Sequence, residues 1–198
     1  MKRTILLFIG LLICIVSTAQ TKIQTNFLGL RLCQTYSLSE AKEIISQKST
    51  NSFINENLIY AFNVNFGGYD WIVRVSLTKE LSEFGTIQFH KVHERKEEAE
   101  SMCEALLDGL TKKYGKAYVS VPKYNDTQYY WNDGENSCLL ELNQRYAKGK
   151  SAWCVELTYS NDKLRKQSIE ENIDKLKMFM SEQSEDGMSS GLSRSDWG

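Results

Sequence analysis

Proline is almost missing from this chain: Pro122 is the only one in 198 residues. With ordinary apolar content as well, extended disorder is excluded for most of the length. Positive charge is not in excess, at 24 Lys and Arg against 25 Asp and Glu. A nucleic-acid binder would normally show a basic patch or stripe, so that class is set aside. Histidine is scarce too, with His90 and His93 the only two. Their run, His90-Lys91-Val92-His93-Glu94, is neither His-Glu-x-x-His nor its inverse, and with no third histidine no metal ligand is assigned. No Cys-x-x-Cys pair occurs, which removes zinc-ribbon and redox motifs. Gly-x-Ser-x-Gly is absent, and Gly67-Gly68 lacks the lysine and helix start of a phosphate loop. No catalytic, cofactor-binding or metal-binding residue is assigned, and no cofactor is expected.

What is present begins at the first residue. Lys2 and Arg3 precede an uncharged apolar run from Thr4 to Val16, and Ser17-Thr18-Ala19 supplies small residues before Gln20. This is the three-part pattern of a secretory signal, cleaved after Ala19. A spanning helix needs about 20 apolar residues, more than this run offers. Leu12 and Ile13 precede Cys14 and the apolar run continues past it, so Cys14 is not a lipid-attachment site. Cleavage would move the net charge from −1 to −3 by removing Lys2 and Arg3. The expected product is exported, periplasmic or secreted, with no membrane span. Its length, Gln20 to Gly198, suits one domain with a real core.

Hydrophobic periodicity then sets the elements. Leu28 to Leu32 alternates as a short strand. Ser37-Leu38-Ser39-Glu40 has capping-box spacing before a helix over about 38–48, with Ala41, Ile44 and Ile45 on one face. Ser49 to Asn57 is polar and reads as a loop. Tyr60, Phe62, Val64 and Phe66 alternate with Ala61, Asn63 and Asn65. Beyond Gly67-Gly68, Trp71, Val73, Val75 and Leu77 alternate with Ile72, Arg74 and Ser76, and Ile87 and Phe89 with Thr86, Gln88 and His90. This predicts a three-strand antiparallel meander with one wet face. Ala99, Met102, Cys103, Leu106, Leu110 and Tyr114 define a helix over 94–114 that Gly115 ends. Three more strands follow: Gln128 to Trp131, a second carrying Cys138, Leu140 and Leu142, and after a hairpin at Ala147–Lys150 a third carrying Trp153, Val155, Leu157 and Tyr159. A final helix, 161–180, starts at Asn161, with Ile169, Ile173, Leu176 and Met180 as its stripe. Residues 181–198, which include Trp197, read as a disordered tail.

The class is therefore α+β. The order helix plus three-stranded meander occurs twice, about 26–93 and 94–160, and suggests a tandem duplication inside a single domain, 20–180. Such an order, with the Phe27-Leu28-Gly29-Leu30 strand and the capped helix, resembles the β-lactamase-inhibitor-protein and outer-membrane-assembly-lipoprotein type of fold. The resemblance covers residues 26–160 as an order of elements. It implies binding or assembly rather than catalysis, and the missing lipid-attachment pattern departs from the assembly lipoproteins.

Four cysteines remain after cleavage, which permits two disulfides in three connectivities. Cys103 and Cys138 lie on expected core faces; Cys33 ends an exposed strand, and Cys154 shares a polar face with Glu156 and Thr158. Cys103 and Cys138 are expected either to pack in the core or to bond to each other, and a Cys33–Cys154 bond is left open. For a contact surface the aromatics stand out: Tyr69 and Trp71 beside the Gly67-Gly68 turn, and Tyr129, Tyr130 and Trp131 in succession. The expected function is an exported, non-catalytic binding or assembly module with a protein or glycan partner. The alternatives are an exported inhibitor or immunity-type protein acting through a loop such as Gly67–Asp70, and a small hydrolase. The last would require His90, His93 and carboxylates in one cleft.

Overall fold

The computed structural model describes residues 21–78, 82–120, 127–147 and 150–171. The expected signal segment, the expected loop around Pro122, Lys148 and Gly149 of the expected hairpin turn, residues 172–180 of the expected last helix and the expected tail lie outside the described residues. The class is α+β, with strands β1 (Asn26–Phe27), β2 (Leu30–Arg31), β3 (Asn51–Asn55), β4 (Leu58–Phe66), β5 (Tyr69–Leu77), β6 (Phe84–His93), β7 (Tyr118–Ser120), β8 (Thr127–Asn132), β9 (Asn136–Ala147) and β10 (Lys150–Asn161). The helices are α1 (Leu38–Ser46), α2 (Lys96–Tyr114) and α3, residues 162–171. β1 and β2 form a small sheet, and the other strands are hydrogen-bonded in the order β3-β4-β5-β6-β10-β9-β8-β7. Four strands, not three, follow each of α1 and α2: the additional ones are β3 and β7. The chain divides into two compact units, Asn26–Gln88 with Ser160–Gly198, and Met1–Thr25 with Phe89–Tyr159.

In the unit that holds α1, the expected strand from Leu28 to Leu32 is instead a tight hairpin. Phe27 pairs with Leu30 across a turn in which Leu28 and Gly29 have φ of 55° and 98°. Two positive φ values make the kind of turn whose twist matches the strands it joins, and glycine takes that backbone without steric cost. Ser37 caps α1 as expected, its Oγ accepting from the Glu40 N–H at 3.1 Å. Ala41 and Ile45 are the buried residues of that helix. Ser49 to Asn57, read as a loop, contains β3, which pairs antiparallel with β4 from Asn51↔Phe62 to Asn55↔Leu58. Polar composition hid it: an edge strand needs only one partner and little burial.

The faces of β4 also differ from the alternating pattern. Ile59, Ala61 and Val64 are fully buried, while Tyr60 and Phe62 are half-buried on the opposite face. An extra residue sits between the pairs Ala61↔Val73 and Val64↔Trp71, with Asn63 at φ 53°. That bulge switches which parity points inward, so a strict period of two fails across it. β5 follows expectation, burying Trp71, Val73, Val75 and Leu77. Asn161 Oδ1 accepts from the Leu164 N–H at 3.2 Å and so caps α3. Leu164 then packs on β6: a Cβ at Gly85 would lie 3.1 Å from Leu164 Cβ.

In the unit that holds α2, the helix largely follows its periodicity, with Leu106 half-buried. Ala99, Met102, Cys103, Leu110 and Tyr114 are buried along α2, and Gly115 ends it at φ 85°. Trp131, Cys138, Leu140, Val155, Leu157 and Tyr159 complete that core. Asp133 ties in the segment before β1: it accepts from the Ile23 N–H at 2.8 Å through Oδ2, and from Asn136 (2.8 Å) and Glu135 (3.1 Å) through Oδ1. β10 departs from one-sided burial, because Cys154, Glu156 and Thr158 are buried as well as Val155 and Leu157.

Candidate functional site

The five aromatics singled out as a contact surface separate by environment. Trp71 and Trp131 are core residues, 1% and 3% exposed. Each buried indole finds an acceptor, Trp71 Nε1 donating to the Phe66 carbonyl and Trp131 Nε1 to the Gly115 carbonyl, both at 2.9 Å. Large rings beside turns are drawn inward because they bury the most apolar area. Tyr69 rests edge-on against Trp71 at 6.1 Å. Tyr129 and Tyr130 are half-buried. Burial, then the nearby Cys103 and Glu104 charges, push the Tyr129 phenol up. The Tyr130 hydroxyl accepts from Asn132 Nδ2 at 2.9 Å.

Neither disulfide is formed: Cys33, Cys103, Cys138 and Cys154 are not joined to one another, and Cys103 and Cys138 take the packing alternative. Cys33 is exposed, and the other three are buried. Burial pushes the Cys103 thiol to about 11 and the Cys138 thiol to about 12, the latter despite a hydrogen bond with Tyr159. Cys138 thus has a hydroxyl partner in the core in place of a second sulfur, and neither thiol is activated for nucleophilic work.

The chemistry-bearing cluster lies in the unit of α2, on strands that are neighbours in the sheet order, β6, β10 and β9. His90 comes from β6. Cys154 and Glu156, two apart on β10, share a face because strand side chains alternate. Arg145 comes from β9. His90 Nδ1 lies 3.6 Å from Glu156 Oε1, and the Arg145 guanidinium donates to the same oxygen at 2.7 Å. The His90 nitrogen, the Cys154 sulfur and a Glu156 oxygen all lie within 4.8 Å of one another. Among the described residues this is the group of three or more His, Cys, Asp and Glu side chains close enough to share a cation. The Glu156 side chain is 8% exposed and that of Arg145 61%. The face read as water-facing is therefore covered at Cys154 and Glu156.

Electrostatics follow the geometry. The His90 imidazole, and after it the Arg145 guanidinium, hold the Glu156 carboxyl at about 2 against the opposing effect of burial. Burial, reinforced by the Glu156 charge, pushes the Cys154 thiol to about 12. Cys154 is therefore a protonated thiol beside a carboxylate, the reverse of the electropositive setting that generates a nucleophilic thiolate. His93 belongs to a different group. Its Nε2 lies 3.3 Å from Met102 Sδ and its Nδ1 3.7 Å from Glu98 Oε2. The two histidines thus take different carboxylates rather than converging on one.

A second feature, which the sequence pattern missed, lies in the unit of α1. Phe53 of β3 stacks on Tyr60 with centroids 5.1 Å apart and on Phe62 at 6.0 Å. Phe53 is 44% exposed, Ile54 39% and Ile72 38%. On the face of Phe53 and Tyr60, Arg74 Nε donates to Gln88 Oε1 at 2.6 Å, whereas Ile54, paired with Ile59, lies on the opposite face. β3 stands at the end of the sheet order, so among the described residues one side of its backbone has no neighbouring strand. Its side chains, Asn51-Ser52-Phe53-Ile54-Asn55, carry no charge and no proline. The available signal was Phe53-Ile54 within an otherwise polar segment.

Fold and sites together define an α+β protein with β3 at the end of its described antiparallel sheet and a semi-buried His-Cys-Glu-Arg cluster. Comparison with protein-family models, with curated proteins and with solved structures finds no match for the chain. Among the described residues no helix is long and apolar enough to cross a membrane.

Proposed function

We propose that this protein is an exported, non-catalytic binding module that receives an extended segment of a protein partner along β3. The observation that carries the reading is the edge itself: an uncharged, proline-free strand with Phe53 and Ile54 exposed and Phe53 stacked on Tyr60 and Phe62. Sheets that end at solvent normally blunt the edge with lysine, proline or a bulge, because a bare row of N–H and C=O groups pairs with any strand offered. Adding a strand supplies main-chain hydrogen bonds, and the stacked rings supply the apolar contacts that select side chains. A protein partner is preferred to a glycan because the open backbone edge serves only another polypeptide. The protonated state of Cys154 and the separation of His90 from His93 also favour a role without bond chemistry.

A second reading, an inhibitor that inserts a hairpin tip into a partner, is favoured by one specific feature. Gly67 and Gly68, at φ 62° and 84°, make an exposed two-residue turn between β4 and β5. Asn65 Nδ2 to Asp70 Oδ1 at 3.1 Å braces its base. One experiment separates the two: a photo-crosslinking residue at position 53, 70 or 104, expressed in the native host. Adducts to a second polypeptide from 53 alone support strand addition, and adducts from 70 alone support the inhibitor. Equal yields from all three, with Glu104 as the exposed helix control, would remove both.

A further inference from the structure

The His90-Cys154-Glu156 group has the donor chemistry, the framework and the spacing of a metal site. An imidazole nitrogen, a sulfur and a carboxylate oxygen form the mixed set that borderline divalent cations prefer, whereas magnesium and calcium take oxygen almost alone. The framework is stiff: two donors stand two residues apart on β10 and the third on neighbouring β6. Cys154 and Glu156 are 5% and 6% exposed, so the donors are largely shielded from water. In a tetrahedral zinc site with bonds of about 2.0–2.3 Å, ligand atoms stand roughly 3.3–3.7 Å apart. His90 Nδ1 and Glu156 Oε1 already lie 3.6 Å apart, and no pair in the group exceeds 4.8 Å. Rotamer adjustments of about an ångström would complete the geometry.

We propose that His90 Nδ1, Cys154 Sγ and a Glu156 carboxylate oxygen form a binding site for one divalent cation of the zinc class. On binding, the thiol proton leaves to solvent and the cation takes its place, so a thiolate and a carboxylate balance the cation's two charges. Arg145 donates to Glu156 from a side chain that is 61% exposed. It can stay on the carboxylate as an outer partner, as ligand carboxylates commonly require, or swing into water. A fourth position is left for water or a partner's donor. The reading is independent of strand addition at β3, which lies in the other unit.

The test uses the tag-free full-length chain carrying Cys33→Ser, which removes the exposed thiol, with Co²⁺ and Zn²⁺ as the probes. The expected result is one Co²⁺ per chain by equilibrium dialysis, with a thiolate-to-cobalt charge-transfer band that Zn²⁺ displaces and Cys154→Ser abolishes. His90→Gln is the fold-safe second variant, because its side chain is 22% exposed. It should weaken Zn²⁺ binding by more than about tenfold, the cost of losing even an outer-shell partner. It should also abolish the Zn²⁺-dependent rise in thermal midpoint, while His93→Ala leaves both unchanged. No retained Co²⁺, a thiolate band that survives Cys154→Ser, or equal loss from His90→Gln and His93→Ala would each overturn the site.

Discussion

At the scale of single residues, backbone conformation and buried hydrogen bonds make the firmest demands. Gly29 combines φ of 98° with a neighbour so close that a Cβ would stand 2.8 Å from Ile44 Cγ2. Gly29→Ala should therefore destabilise by about 1–3 kcal/mol, from left-handed strain together with displacement of α1. Urea unfolding measures it, and a change below a few tenths would refute the contact. Asp133 supplies a pH signature. Burial works against its ionisation, but the backbone N–H groups of Asn136, Ile23 and Glu135, with Lys22 nearby, hold the carboxyl below the usual aspartate range. A carboxyl lowered in the fold contributes stability that is complete above the unfolded value, about 3.9, and is lost as pH falls through the lower folded value. Asp133→Asn should lower stability at pH 7 by about 1–3 kcal/mol and flatten the acid limb below about pH 4. An unchanged limb would mean that another carboxylate governs it.

At the scale of elements, the bulge in β4 is the most exposed to test. Asn63 holds φ of 53° between the pairs Ala61↔Val73 and Val64↔Trp71. Asparagine tolerates that region and a β-branched residue does not, so Asn63→Val should cost about 1–3 kcal/mol where Asn63→Gly costs little. If thermal unfolding found the two variants alike, the bulge would not be a fixed feature of the strand. The same strand shows where sequence reading reaches its limit. β5, the final strand and α2 were legible because Val73, Val155 and Leu110 repeat at the period of their own element. β4 was legible as a strand but not in its facing, since one inserted residue exchanges Tyr60 and Phe62 for Ile59 and Ala61. β3 was hidden because its partner contacts are main-chain and its polar side chains resemble those of a loop. The His90-Cys154-Glu156 group was half legible: Cys154 and Glu156 were placed on one face, but periodicity within single strands says nothing of which strands become neighbours. Trp71 was offered to a surface for its place near a turn and Trp131 for its place in an aromatic run, and both signals are weaker than ring area.

At the scale of the whole molecule, the cysteines and the proposed leader give one joint expectation. Export with cleavage after Ala19 would yield a chain beginning at Gln20, and intact mass should read that boundary. Such a chain, isolated without reductant, should titrate four thiols in denaturant and one, Cys33, rapidly in the native state. Two or none in denaturant would mean that oxidation joins sulfurs the fold leaves unjoined, and a mass that includes Met1 would refute the proposed cleavage. The sheet order carries a separate consequence. β10, last of the described strands, stands between β6 and β9, with both of its faces buried at Cys154–Tyr159. The middle of the described sheet is thus closed by a strand remote in sequence from its neighbour. β6 meets β10 some sixty positions downstream, and closing that span carries the loop entropy that slows folding of non-local sheets.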